Sequence, residues 1–155
     1  MDGQLQLLMD KDEIGEVQAR YSIGVDTKDF ELFRSVFTDT IFVDLTEQDP
    51  DFIGNMPADD WVSQVGALVK GLKSTQHQMS NFEITVYGNL ATAKVYFRSI
   101  QYLPNTLGDN TCSCGGSYEN GFIRTEKGWK INSTKCHFLW DLGNKYLPTL
   151  AIAGV

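Results

Sequence analysis

FEITVYGNLATAKVYFRSIQYL, residues 82–103, reads as two strands folded back on a single turn. Phe82, Ile84 and Val86 alternate with Glu83, Thr85 and Tyr87, and Gly88-Asn89 is a two-residue hairpin turn. On the return strand Ala91, Ala93, Val95, Phe97, Ser99, Gln101 and Leu103 share one face. Thr92, Lys94, Tyr96, Arg98 and Tyr102 share the other. Small residues at one end of the first face and Gln101 near the other describe a surface that begins as core and ends as the wall of a pocket. The outer face, with Tyr96, Ile100 and Tyr102, carries enough apolar area to predict a homodimer or homotrimer.

Working outward, a loop rich in Asn, Gly and Asp (Asn105 to Gly116) leads to a third long strand, Ser117 to Thr125. Glu126-Lys127-Gly128 then turns into a last strand from Trp129 to Trp140. The tail over 142–155 is apolar and is expected to pack as a lid or an interface. Upstream the period changes to that of a helix. Asp10 and Glu13 have the spacing of a capping box, followed by the stripe Ile14, Val17, Tyr21, Val25. Thr27 is placed to cap a second helix, Lys28 to Phe37, and a short strand from Thr40 to Leu45 follows. Pro57, Asp59 and Asp60 suit the start of a third helix carrying Trp61, Val62, Val65, Leu68, Val69 and Leu72. Helices before a run of long strands make an α+β plan. The expected fold is a cone: a curved, mixed or antiparallel sheet wrapped around three N-terminal helices, as one domain over 1–155 with its core at about 10–145.

Composition excludes several classes. The net charge of −7 argues against nucleic acid and anionic membrane surfaces as partners, and no apolar run is long enough to span a bilayer. Met1 to Gln6 has neither the basic nor the apolar region of a secretory leader, and three cysteines favour reduced thiols, so a cytoplasmic setting is expected. Cys112-Ser113-Cys114 has the wrong spacing for zinc, and Cys114-Gly115-Gly116-Ser117 matches no nucleotide-binding signature, so neither metal nor cofactor is expected. That leaves the side chains to do any chemistry. Of the two histidines, His77 sits where helix gives way to strand. Histidine is the side chain whose ordinary pKa lies nearest neutrality. His77 is therefore the candidate general acid/base, unless it only hydrogen-bonds a helix end. His137, near the end of the last strand, would meet surface water or a subunit interface.

Four segments carry a resemblance. YSIGVDTKDF (21–30), MPADDW (56–61), TQH (75–77) and GWKI (128–131) occur in an order similar to the SnoaL-like group of the nuclear transport factor 2-like fold, and within it most resemble the scytalone dehydratases. The resemblance implies the cone fold and places a catalytic aspartate on Asp26 and an acid/base on His77. It sets Gln101 where a second histidine would stand, Val25 and Leu45 where two tyrosines would stand, and a pocket asparagine on Asn120.

On that reading Asp26 accepts the imidazole N–H and stabilises the imidazolium, although an Asp before Thr-Lys-Asp is also a natural helix cap. Gln101 and Asn120 offer amide donors to a developing enolate. Tyr21, Trp61, Phe42, Trp129 and Phe138 are pocket wall or core. The implied activity is that of a cofactor-independent lyase or isomerase, dehydratase-like, acting on a small apolar oxygenated ring compound such as a polyketide or terpenoid intermediate of secondary metabolism. Two other readings stay open: a cyclase or epoxide hydrolase with Asp26 as base, and a non-catalytic ligand-binding or assembly module.

Overall fold

The stripe Ile14, Val17, Tyr21, Val25 is buried as its period predicts, but the helix bearing it starts earlier. In the computed structural model, which describes residues 3–154, α1 spans Gly3–Thr27. Met1, Asp2 and Val155, the ends of the leader and tail readings, lie outside the described residues. Asp10 is therefore not an N-cap. It lies mid-helix, 4% exposed, and accepts two hydrogen bonds from Arg124 at 2.8 and 2.7 Å and one from Trp129 Nε1 at 3.3 Å. Glu13, its capping-box companion, takes the Trp129 backbone N–H instead. A polar pair three apart can mark a helix start, but here it ties the helix to the turn before the last strand.

The second helix, α2 (Phe30–Ser35), is capped by Asp29 rather than Thr27: the Asp29 carboxylate accepts from the Leu32 N–H at 2.9 Å. Gly24 lets it come close, since a Cβ there would stand 2.7 Å from the Phe33 backbone nitrogen. The chain continues as β1 (Phe37–Asp44) and β2 (Ile53–Pro57), a strand the sequence reading omits, and then α3 (Ala58–Val69) with Pro57 at its N-cap. Four long strands follow, β3 (Ser74–Tyr87), β4 (Leu90–Tyr102), β5 (Thr111–Thr125) and β6 (Gly128–Gly143), with a terminal α4 (Leu147–Ala153).

The sheet order is β2-β1-β6-β5-β4-β3, antiparallel except for the β1–β6 pair. It is curved and unclosed, and the helices fill its concave side. The α+β cone expected from the sequence is the fold observed. β5 begins at Thr111, so Cys112 and Cys114 stand on a strand and not in a loop. Within the apolar tail, Leu147 is fully buried and α4 lies against α3.

One irregularity decides which way His77 faces. Counting back from Val86, Ile84 and Phe82 would put His77 on the opposite face, away from the core. Yet the β3–β4 register slips by one residue between Ser80 and Glu83, and Asn81 has φ +55°. This is a β-bulge, with the left-handed residue supplied by Asn, which tolerates that conformation better than most side chains. Thr75, His77 and Met79 therefore point inward with Ile84 and Val86, while Phe82 is 45% exposed.

Candidate active site

Asp26 and His77 meet because three separate devices bring the end of α1 to the start of β3. Asp26 follows Val25, which is buried, on the last turn of the helix. The helix stops at Lys28, at φ +58°, whose Nζ donates to the carbonyls of Lys70 (3.2 Å) and Leu72 (2.7 Å) just before β3. The bulge then turns the imidazole inward. The Asp26 carboxylate receives His77 Nδ1 at 2.6 Å and Thr75 Oγ1 at 2.9 Å on one oxygen, and the His77 backbone N–H at 2.7 Å on the other. Burial works to raise the Asp26 pKa. The hydrogen bonds from His77 and Thr75, with the attraction to the imidazole, outweigh it and the net shift is downward. An ionised carboxylate on Nδ1 holds the ring so that Nε2 faces the interior, where Ser99 Oγ lies 3.1 Å away.

Nε2 opens onto a cavity of about 300 Å³ between the sheet, α1, α3 and α4. Its wall is mostly apolar: Val25, Leu45, Val65, Leu68, Phe97 and Phe138, closed by Pro148 of α4. Polar groups are few. Gln101 stands across the ladder from Thr75, and Ser99 across from His77. Tyr21 and Tyr118 are hydrogen-bonded to each other, and burial holds both phenols well above their usual pKa, so both stay protonated. Tyr118 also stacks on Phe97, with ring centroids 4.5 Å apart. Burial likewise raises Cys114 to about 11 and Cys136 to about 12, which keeps them as thiols at neutral pH.

Of the residues expected in the pocket, His77, Tyr21, Trp61, Gln101 and Phe138 line this cavity, and Asp26 stands directly behind His77. Of the rest, Trp129 takes the core alternative rather than the pocket wall, and Phe42 and Asn120 require correction. Trp129 is 1% exposed at the far end of α1, beneath Arg124 and bonded to Asp10. Phe42 is 39% exposed and borders a groove with Asp44, Glu83, Lys94 and Lys135, because β1 turns it away from the interior. Asn120 is buried two residues beyond Tyr118, paired with Ala93 and Thr134 and outside the cavity wall; its Oδ1 has no partner among the described residues. His137 Nδ1 lies 2.7 Å from Glu47 Oε1 and its Nε2 3.2 Å from Glu119 Oε1, and the first contact lowers the Glu47 pKa.

Ser99, Tyr118 and Thr75 were not singled out from sequence. Ser99 and Tyr118 were detectable in principle, since both fall on inward-facing positions of long strands. Thr75 lies two residues before His77, the spacing that puts two strand residues on one face.

A curved, unclosed sheet with helices on its concave side is the fold of the nuclear transport factor 2-like class of proteins. Within that class the chain belongs to the SnoaL-like domain family, whose sequence model matches residues 6–135. An uncharacterized protein of Mycobacterium tuberculosis is 29% identical over 136 residues, 83% of this chain and 87% of its own. Among solved structures, a protein of Kribbella flavida superposes with a TM-score of 0.86 at 26% identity, covering 92% of this chain and 99% of that one. A candidate scytalone dehydratase of Novosphingobium aromaticivorans gives 0.76 at 17% identity, covering 87% of each chain. A hexachlorocyclohexane dehydrochlorinase of the LinA type 2 gives 0.73 at 16% identity, covering 92% and 93%.

Proposed function

We propose that the protein is a cofactor-independent lyase or isomerase, dehydratase-like, that moves a proton at carbon in a small, neutral, mostly apolar oxygenated ring compound. The observation that carries this reading is the Asp26–His77 pair, 2.6 Å apart, opening through Nε2 onto an apolar cavity of about 300 Å³. At the packing density of protein interiors, ~0.75, such a space holds a ligand of roughly 220 Å³, the size of two fused rings with substituents. One structural neighbour is named a scytalone dehydratase candidate and another a dehydrochlorinase, and loss of water and loss of hydrogen chloride are both eliminations.

In this mechanism the substrate displaces the Ser99 hydroxyl from Nε2, which then takes a proton from carbon next to a carbonyl. Asp26 stabilises the imidazolium that forms. The protonated phenol of Tyr21, which accepts from Tyr118 and keeps its own proton free, supplies with the Gln101 amide the donors for the enolate oxygen. His77 returns its proton to the departing hydroxide, or to another carbon in an isomerisation. Asp26 is a poor candidate for the base of a cyclase or epoxide hydrolase, because both its oxygens are engaged and its pKa is lowered. A purely assembling module would leave His77 at the surface and fill the cone with side chains. Here the His77 side chain is 13% exposed and faces a cavity.

The proposal extends to a homodimer or homotrimer built on the outer face, where Tyr96 is 46% and Tyr102 38% exposed, and to a role in secondary metabolism. The test is turnover of bicyclic hydroxy-ketones by the native protein against His77→Gln. Full activity in that variant would remove the assignment.

A further inference from the structure

We infer that Ser99 is a nucleophile, and that this cavity carries an acyl-transfer activity toward small activated aryl esters beyond the proton chemistry proposed above. The argument starts from register. Ser99 sits on β4 directly opposite His77 on β3 and Cys114 on β5, so three side chains form one rung on the inner face. That rung continues into Asp26. Oδ1 of the carboxylate is 2.6 Å from Nδ1, and Nε2 is 3.1 Å from Ser99 Oγ. Carboxylate, imidazole and hydroxyl thus stand in the order and at the spacings that activate a serine. The carboxylate is fixed from two further directions by Thr75 and the His77 backbone, so the imidazole cannot easily turn away. Ser99 is 3% exposed, and the space it borders is the cavity. The competing nucleophile, Cys114, stands beside Ser99 on the same rung but is held protonated by burial.

The chemistry closes without outside help except water. Ser99 Oγ attacks the ester carbonyl carbon as its proton passes to His77 Nε2. The bond to the aryl oxygen breaks and the phenolate takes that proton, leaving an acyl–Ser99 ester. Water then attacks the acyl carbon, giving its proton to Nε2. The carboxylic acid leaves and the proton returns to Oγ.

The weak point of the machinery predicts its kinetics. β4 is paired on both sides, so its backbone N–H groups are committed to the ladders. Donors for the oxyanion must come from side chains, of which Trp61 Nε1–H, on a residue 7% exposed and without a partner among the described residues, is one and the Gln101 amide another. The lack of one backbone donor costs about a hundred- to thousandfold in such sites. Acylation by a good leaving group should therefore outrun deacylation.

The experiment treats the full chain with phenylmethylsulfonyl fluoride and reads the intact mass and the modified peptide. In parallel, 4-nitrophenyl acetate is followed by stopped flow. The expected result is one adduct, on Ser99, together with a burst of one 4-nitrophenolate per chain. The adduct should be absent in Ser99→Ala, with folding verified by circular dichroism, and should form about a hundredfold more slowly in His77→Gln. No adduct on the native protein, or an adduct that persists in Ser99→Ala, overturns the assignment. Neither result bears on carbon proton transfer by His77, which is read by isotope exchange in a ketone that cannot acylate a serine.

Discussion

Helix α1 carries two inward-facing aspartates, Asp10 and Asp26, sixteen positions apart in the sequence, and they serve different ends. Both are held by several donors, and both have lowered pKa values. At Asp10 the partners are Arg124, which brings it down to about 2, with Gln6 and Trp129; Arg124 stacks over the Trp129 ring at 4.4 Å. Every group there is either permanently charged or does not titrate near neutrality, and Asp10 takes no part in the wall of the cavity beside His77. At Asp26 the main partner is a histidine, and that histidine looks onto open space. A buried, well-bonded carboxylate is therefore not by itself a functional signature. What separates the two sites is a partner able to exchange a proton and room for a substrate beside it.

Substitutions at the two ends should separate accordingly. The largest effect expected is from His77→Gln, which should lower turnover about a hundred- to ten-thousandfold while leaving the thermal midpoint near that of the native protein. Arg124→Met should do the reverse. Leaving Asp10 buried without its cation costs about 3 kcal/mol in a urea melt, and the remaining folded protein should keep its activity. Asp26→Asn should reduce activity less than His77→Gln, since it disturbs the orienter and not the base. A larger loss in Asp26→Asn would make Asp26 the base.

Truncation after Asn144 removes α4 and with it Leu147 and Pro148, so affinity for bicyclic ligands should fall, measured by calorimetry. Unchanged affinity would dismiss α4 as a wall of the cavity. The smallest effect concerns pH. Because both aspartates have pKa values below the ordinary 3.8, their stabilising contributions are complete above that value and fade as pH falls through the lowered values. Acid denaturation should accordingly steepen below about pH 4, and Asp10→Asn should flatten that limb.

Much of this was legible in the sequence. The hairpin at Gly88-Asn89 and the inward face of β4 follow from a period of two, and Tyr21 and Val25 follow from the helical stripe. The TQH and VDTKDF segments place Asp26 and His77 as partners through family resemblance, and the structure brings them within 2.6 Å. What escaped has identifiable causes. The bulge at Asn81 inverts the side-chain parity of β3, and no local composition announces it; without it, His77 would face outward. Asp10 and Glu13 satisfy a local capping pattern, but the long-range pull of Arg124 and the Trp129 backbone decides their role. Asn120 follows the correct alternation yet lies deeper than the cavity floor, and depth along a strand is a property of the whole cone. Phe42 looks like core by hydrophobicity, but β1 presents it to the outside.

The central claim is that His77 moves a proton at carbon, and isotope exchange reads this without knowledge of the natural substrate. 2-Tetralone, a bicyclic ketone with exchangeable hydrogens next to its carbonyl, would be incubated in deuterium oxide with the native protein and with His77→Gln, and deuterium uptake followed by NMR. Exchange accelerated above buffer by the native protein, and returned to the buffer rate by His77→Gln, is the result this account predicts. Acceleration that survives in His77→Gln would contradict it.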